Sequence, residues 1–382
     1  MTVRLRAVRG IRPDGALILV VLTLLIIGLV MIYSASYHFG FLSTGDESSA
    51  TSRFMVRQAA FALGGLAVMW VVSRIDYHTY QQPRLVLGAL AFTLALQLPL
   101  VVLSQTRSLP VRHLLGGLNS VQPSELVKLT GVLYIAVWLN NKRAEMRAIS
   151  LGLFPFVMLL ALIAMVIFAQ GHFSTTMLFV GTATAMLFAV GVDTKQLIIF
   201  LGVVALFLVL LAVVEPFRVE RLIAWWHDPF SAATDEGYQG VQSMIALKNG
   251  GLFGVGLGQS QQKFTLYASH TDCIFAIIGE EFGFFGSLVI IGFYGLWTWQ
   301  GLRIVRNAPD LYGRLVAVGL VSYIALQAAL HIGVTSGLTP FTGTVLPFVS
   351  YGGSSLLTCL VGVGILANIA RGGGGLGPGL KP

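Results

Sequence analysis

The residues best suited to chemistry are a few charged side chains in a chain that is otherwise mostly hydrocarbon. Asp272 stands at the edge of an apolar stretch that begins at Cys273, and Glu125 and Lys128 stand inside another. Ionisable groups at membrane depth are costly, so their default interpretation is functional. A carboxylate there can act as general base toward a hydroxyl, and a lysine can hold a phosphate. This combination predicts a site for a substrate with an anionic headgroup and a lipid tail.

Each of these residues also has a structural interpretation. Glu125 and Lys128 are three residues apart, so on a helix they share a face and can neutralise each other as a pair that ties helices together. Asp272 could instead be a helix N-cap. Glu280 lies about 12 Å along a helix from Asp272 and is expected to be a buried structural acid. His331 is expected to hydrogen-bond between helices rather than to bind a metal.

The composition requires an integral membrane protein. Of the 382 residues, 55% are hydrophobic and 10% charged, and the mean hydropathy is strongly positive; a water-soluble domain needs more charge on its surface. Stretches of about 20 apolar residues recur, which is the length of a transmembrane helix. The sequence therefore predicts an all-α, polytopic membrane protein with ten transmembrane helices. The predicted spans are Ala16–Ala35, Phe54–Val72, Leu85–Leu103, Val121–Leu139, Leu151–Ala169, Phe173–Val190, Leu197–Val214, Cys273–Trp299, Leu315–Ser336 and Val345–Ala370.

The distribution of basic residues predicts the orientation. Arginines and lysines precede the first span and occupy alternate loops, which by the positive-inside rule places those loops and both termini in the cytoplasm. The formal net charge of +8 is explained by this bias and by anionic lipids, so no nucleic-acid partner is expected. On this topology Arg112, Glu125, Lys128 and Asp272 meet near the outer membrane surface.

The connections between spans carry further predictions. One large extracytoplasmic loop covers about 215–272, and within it Tyr238–Lys248 is expected to form a short amphipathic helix before the Gly250-Gly251 break. Pro340–Ser355 is rich in Pro, Gly and hydroxyl groups and either lines a substrate groove or forms a packed helix kink. Cys273 and Cys359 are expected to be free buried thiols. Residues 1–371 form one membrane domain, followed by a flexible cytoplasmic tail, 372–382.

Three long motifs carry a resemblance to a known family. They are QPSELVKL at Gln122–Leu129, HTDCIFAIIGEEFGFFG at His270–Gly286 and LPFVSYGGSSLL at Leu346–Leu357. MIYSAS at Met31–Ser36 and GLFGVGLGQSQQK at Gly251–Lys263 also fit. The chain thus resembles the SEDS family (shape, elongation, division and sporulation), whose members include RodA, FtsW and SpoVE. It departs from the common pattern where Leu266–Ser269 replaces LPE and in the motif that begins at Gln170.

The resemblance implies a peptidoglycan glycosyltransferase of the bacterial cytoplasmic membrane that polymerises lipid II on the outer face. It implies that Asp272 is the essential aspartate and deprotonates the acceptor hydroxyl, and that a class B penicillin-binding protein and other elongation or division proteins are partners. A divalent cation, Mg or Mn, is a possible cofactor. The candidate substrate-binding residues are Arg112, Glu125, Lys128, Lys263, His270, Thr271, Ser350 and Gly352.

Two other functions fit the same charged residues. A transporter could flip lipid II across the bilayer without making a bond, although no pair of broken helices in a repeat supports alternating access. A non-catalytic scaffold for a transpeptidase is the third hypothesis, which the altered segment before His270 keeps open.

Overall fold

The structure is a bundle of α-helices. The computed structural model describes residues 13–44, 47–100, 102, 122–147, 149–171, 173–214, 223, 225–226, 236–267 and 269–372, and these contain no β-strand. We number the eleven α-helices in this part of the chain in order. They are α1 (Pro13–Thr44), α2 (Glu47–Val72), α3 (Pro83–Ala95), α4 (Pro123–Asn141), α5 (Phe154–Phe168), α6 (Phe173–Val190), α7 (Thr194–Val214), α8 (Glu236–Gly250), α9 (Ile274–Asn307), α10 (Leu311–Thr335) and α11 (Gly353–Ala370).

The predicted all-α membrane fold is confirmed. Within the described residues, nine helical stretches are long and apolar enough to cross a membrane, and they coincide with nine of the ten predicted spans. The remaining span corresponds to α4, whose 19 residues match the required length but include Glu125 and Lys128. The predicted amphipathic helix is α8, a helix of 15 residues that ends at Gly250 as expected.

The last predicted span began too early. Val345 and the residues up to Gly352 are not helical, and α11 begins only at Gly353. Pro347 lacks an N–H group, and Phe348 has a φ of 67°, so neither residue can continue a regular helix. Apolar composition over 345–352 therefore concealed an irregular segment inside the bundle.

The core lies where α10 and α11 meet α4, α6 and α9. The apolar windows of α10 and α11 are mostly buried, whereas those of α2 and α7 are mostly exposed. Because the exposed side chains of α2 and α7 are themselves apolar, for example Leu63 and Ile198, these helices form the lipid-facing rim. The central helices can carry polar groups, because their buried side chains do not face lipid.

α9 is broken near its beginning. Gly283 has φ 69° and ψ −164° inside the helix. The loop after α8 packs backbone to backbone against this break: Val255 N donates to Glu280 O at 3.0 Å, and Phe284 N donates to Gly251 O at 2.9 Å. The backbone groups freed by the break are thereby paired within the protein, as a membrane environment requires.

The end of the bundle opposite the break of α9 is closed by polar contacts. Tyr77 N donates to Asn368 Oδ1 at 3.0 Å, and the Tyr77 hydroxyl donates to Asp310, which also caps α10. Seven basic residues predicted to be cytoplasmic lie near the ends of helices or directly after them here. They are Arg74, Arg84, Lys142, Arg143, Arg303, Arg306 and Arg314.

Some predictions fall outside the described residues. These are Arg112, the arginines before Pro13, most of 215–235 in the large loop, and the tail after Gly372. The division into one domain, 1–371, and a tail stays a prediction.

Candidate active site

A cavity of about 440 Å³ opens at the end of the bundle where α4 and α11 begin. Two loops, 270–272 and 343–352, complete its wall together with α2, α6 and α10. Of the sequence-predicted site residues, the cavity gathers Glu125, Lys128, His270, Thr271, Asp272 and Gly352. Residues that are 147 positions apart in the sequence thus share one site.

Glu125 and Lys128 form an ion pair in the first turns of α4. Lys128 Nζ lies 2.6 Å from Glu125 Oε1, and the residues are 4% and 2% exposed. Tyr323 of α10 donates to Glu125 Oε2 at 3.4 Å, and its ring lies 4.9 Å from Lys128 Nζ. The pair therefore ties α4 to α10, as the structural interpretation predicted, and it also borders the cavity. Its role in substrate binding stays a prediction.

Hydrogen bonds to neighbouring segments hold the turn that carries Asp272. Ser350 Oγ donates to Thr271 O at 2.7 Å, Tyr351 N donates to His270 O at 2.9 Å, and Ser269 Oγ donates to Ala35 O at 3.1 Å. These bonds hold the three residues that precede Asp272. A carboxylate on such a turn keeps one position toward a bound group.

The alternative role of Asp272 as an N-cap is not supported. α9 begins at Ile274, and its N-cap residue is Cys273, whose side chain makes no capping hydrogen bond. Asp272 instead borders the cavity, where its Oδ2 would lie 2.8 Å from a Cβ at position 343. A side chain at 343 would therefore require the carboxylate to move from this position.

Several hydrogen bonds within the protein hold the irregular segment before α11. Ser350 Oγ accepts from Leu346 N at 2.7 Å, and Tyr294 donates to Pro347 O at 2.5 Å. Gln58 bridges the segment to α2, since it donates to Ser350 O at 3.3 Å and accepts from Gly352 N at 3.2 Å. Ser350 is therefore a support for the site and does not border the cavity, unlike Gly352.

Two helix N-termini face the cavity. Gln122 precedes α4 and Gly352 precedes α11, and both border the cavity. Gln122 N donates to Ser354 Oγ at 3.2 Å, which joins the two helix ends. The positive ends of both helix dipoles make this part of the cavity favourable for an anion.

Arg57 is a cavity residue that sequence reasoning missed. It lies on α2, its guanidinium carbon is 5.7 Å from the Phe61 ring, and it hydrogen-bonds Tyr351. The signal was present, because Arg57 is an ionisable residue inside the predicted span Phe54–Val72.

Lys263 does not reach the cavity. The predicted substrate-binding ammonium donates to Gly258 O at 2.6 Å, and the residue is 4% exposed. Burial lowers the Lys263 pKa, while Glu281 and Glu280 oppose that shift. Lys263 stabilises the loop 258–263, which Glu280 also binds through Ser260 Oγ.

His270 lies in the cavity wall as a neutral ring. Burial lowers the pKa of His270 to about 4, so near neutral pH it does not add a positive charge for an anionic substrate. Its ring packs between Phe54 and Tyr351, with centroid distances of 5.0 and 5.5 Å. Its predicted substrate contact would therefore be a neutral hydrogen bond or a stacking contact.

The other polar predictions agree with the structure. Glu280 is buried, accepts from Gln262 N at 3.2 Å and lies away from the cavity. His331 bonds to Thr344 O at 2.7 Å. Cys273 and Cys359 are free and buried.

For a divalent cation, the described part of the chain contains no cluster of three or more His, Cys, Asp or Glu side chains. The cavity offers two carboxylates, Asp272 and Glu125, and Glu125 is shared with Lys128. One or two carboxylates together with substrate phosphates are a usual ligand set for Mg²⁺. The donor set thus fits a cation that a phosphate substrate helps to bind.

Comparisons with known proteins give a consistent result. The family described as "Cell cycle protein" (FtsW/RodA/SpoVE) matches residues 15–373. The chain is 37% identical over 364 residues to "Stage V sporulation protein E" of Bacillus subtilis (strain 168), which covers 94% of this chain and 97% of that protein. It is 35% identical over 376 residues to "Probable peptidoglycan glycosyltransferase FtsW" of Geobacter metallireducens, covering 94% and 95%.

Solved structures share the fold. One chain of "Structural coordination of polymerization and crosslinking by a peptidoglycan synthase complex" superposes with a TM-score of 0.73 at 22% identity, covering 93% of this chain and 96% of that chain. The rod shape determining protein RodA of Thermus thermophilus gives 0.63 at 21% identity, covering 93% and 95%.

Proposed function

This chain belongs to the FtsW/RodA/SpoVE family of cell cycle proteins, and we propose that it is a peptidoglycan glycosyltransferase. Its relatives in Geobacter carry that activity in their names. The proposed reaction is the polymerisation of lipid II into glycan strands at the outer face of the cytoplasmic membrane. The observation that carries the proposal is the cavity itself, which places the Asp272 carboxylate in one space with Lys128 and Arg57.

The proposed chemistry is an inverting glycosyl transfer. Asp272 takes the proton from the 4-hydroxyl of the acceptor N-acetylglucosamine, and that oxygen bonds to the anomeric carbon of the donor. The bond from this carbon to the diphosphate oxygen breaks, and undecaprenyl diphosphate leaves with the electron pair. Since a diphosphate needs no proton to leave, one carboxylate suffices, in contrast to glycoside hydrolysis.

The charge of the leaving diphosphate requires stabilisation. Arg57 and Lys128 border the cavity, and the N-termini of α4 and α11 open into it. Guanidinium, ammonium and helix N-terminal N–H groups all favour phosphate oxygens. Arg112, which lies outside the described residues, is proposed as a further cation. A divalent cation would add positive charge at the same diphosphate, held by Asp272 or Glu125.

The proposed partner is a class B penicillin-binding protein. A structural relative comes from a complex that coordinates polymerization and crosslinking, and a polymerase that makes uncrosslinked strands needs a transpeptidase to join them.

Asp272→Asn tests the proposal. The variant keeps the size of the side chain but removes the base, so purified protein incubated with labelled lipid II should form glycan strands at less than about 1% of the wild-type rate. The matched control is Asp193→Asn, the same change at an exposed residue in the connection between α6 and α7. It should polymerise normally.

Three results would contradict the proposal. A near wild-type rate for Asp272→Asn would exclude the base. Transfer of lipid II across a vesicle membrane without polymer would indicate a transporter. Binding of a transpeptidase with neither polymer nor transfer would indicate a scaffold.

A further inference from the structure

Two polar atoms in the cavity wall have no hydrogen-bond partner among the residues that the structure describes. They are Oε1 of Gln327, on α10, and Oγ1 of Thr344, in the irregular segment. Both side chains border the cavity, and the residues are 1% and 8% exposed. A buried polar atom without a partner costs free energy unless a bound group satisfies it.

The orientation of the Gln327 amide is determined by its other contact. Nε2 donates to Val345 O at 2.9 Å. Because a carbonyl oxygen can only accept, the NH₂ group must point toward Val345, and Oε1 must point away from it. Gln327 therefore presents an acceptor, which can be satisfied by an N–H, an O–H or a cation.

The Thr344 hydroxyl is positioned by its backbone. His331 Nδ1 lies 2.7 Å from Thr344 O, and the Gln327 amide holds the next residue at Val345 O. With the backbone fixed on α10 at two consecutive carbonyls, the Thr344 side chain stays at the cavity wall. Its hydroxyl can both donate and accept.

The pair is connected to the proposed base through Gly343, the residue before Thr344. Gly343 lies against Asp272, since a Cβ at 343 would be 2.8 Å from Asp272 Oδ2. Residues 343–345 thus run from the Asp272 carboxylate, past the Thr344 hydroxyl, to the Gln327 amide. A group bound by Gln327 and Thr344 is placed beside the carboxylate.

We propose that Gln327 and Thr344 form a polar subsite for the sugar whose hydroxyl Asp272 deprotonates. The Gln327 Oε1 accepts a hydrogen bond from an N–H or O–H of that sugar, and the Thr344 hydroxyl bonds a neighbouring oxygen. The chemical class is an amino sugar or its acylated form, which carries both kinds of donor. This inference rests on the proposed function and assigns the acceptor position within it.

Thr344→Val tests the subsite. Valine has nearly the same shape, keeps the backbone bond to His331 and removes only the hydroxyl. We expect KM for lipid II to rise roughly 3- to 10-fold, with a smaller change in kcat, because one neutral hydrogen bond to substrate is lost. The unfolding temperature should be equal to that of the wild type or higher, since the free protein loses an unsatisfied hydroxyl.

Thr358→Val is the matched control. Thr358 on α11 is 4% exposed, and its hydroxyl also has no partner within the described part of the chain, but it does not border the cavity. This variant should share the stability change and keep the wild-type KM. Gln327→Met, which removes the acceptor, should raise KM as Thr344→Val does.

Direct binding of labelled lipid II is measured beside turnover. If the wild type makes no polymer, the proposed function fails, and the subsite is judged by the dissociation constants alone. If the wild type polymerises and Thr344→Val has wild-type KM and affinity, the subsite is wrong while the proposed function stands. Equal losses in Thr344→Val and Thr358→Val would likewise overturn the subsite.

Discussion

The charges at the cavity differ in how they are balanced. Lys128 is neutralised by Glu125 at 2.6 Å in a site that is almost fully buried. Arg57, by contrast, forms no ion pair with any described residue, and it contacts Phe61 and Tyr351. At the scale of single residues, Arg57 therefore adds net positive charge to the cavity. Lys128 can offer its charge to a bound group only while it also pairs with Glu125.

The buried pair gives a prediction about stability and activity. Lys128→Met leaves Glu125 buried without its partner and should destabilise the protein by about 3–5 kcal/mol. The double variant Glu125→Gln, Lys128→Met removes both charges and should recover most of that loss in thermal unfolding. Polymerisation should stay low in both variants.

The two readouts separate the roles of the pair. If the double variant polymerises at the wild-type rate, the pair is structural only. If the double variant is no more stable than Lys128→Met, the two side chains are not coupled as the 2.6 Å contact indicates.

At the scale of elements, the break of α9 explains how the site is supported. A straight helix of 34 residues would be about 51 Å long, well beyond the ~30 Å hydrocarbon core. The break at Gly283 divides it, and the loop after α8 fills the break with backbone hydrogen bonds. The first turns of α9, which follow Asp272, are thereby held against α8.

Two glycines of α9 test this explanation. A Cβ at Gly283 would lie 2.4 Å from Gly254 N, and φ there is +69°. Gly283→Ala should therefore destabilise the protein by at least about 1–3 kcal/mol and reduce polymerisation. At Gly292 in the same helix no atom lies within 4 Å of a Cβ, so Gly292→Ala should stabilise by about 0.5–1 kcal/mol.

Thermal unfolding and polymerisation of the two variants provide the comparison. Equal stability of Gly283→Ala and Gly292→Ala would show that the backbone contact between the loop and the break does not stabilise the protein.

At the scale of the whole molecule, the basic residues predicted to be cytoplasmic lie at one end of the bundle and the cavity at the other. These basic residues lie at the same end as Tyr77, Asp310 and Asn368. The cavity opens at the other end, where α4 and α11 begin. Under the positive-inside rule this arrangement predicts that the cavity opens at the outer surface. Lipid II could then enter from the outer leaflet.

Cysteine labelling tests this orientation. With Cys273 and Cys359 replaced by alanine, Leu338→Cys, which is 72% exposed at the cavity end, should react with a membrane-impermeant maleimide in intact cells. Thr79→Cys, exposed in the turn at the opposite end, should react only after the membrane is opened. The reverse pattern would invert the topology and remove the proposed access for lipid II.

Sequence alone determined the class of protein, the positions of most spans and the central site residues. Apolar composition over about 20 residues is a local property, so it needs no knowledge of the neighbours of a helix. Asp272, Glu125 and Lys128 were found in the same way, because a charge within or beside an apolar stretch is visible in one dimension. The motifs around them were long enough to indicate the family.

Only the tertiary structure decided which other residues meet Asp272. Lys263 looked equally basic in the sequence, yet it bonds to its own loop at Gly258, whereas Arg57 on a distant helix borders the cavity. In the sequence, Gln327 and Thr344 resemble other polar residues. Their hydrogen bonds in the structure show which of their atoms have no partner among the described residues. Such facts depend on packing between helices far apart in the chain, and spacing along one helix does not encode that packing.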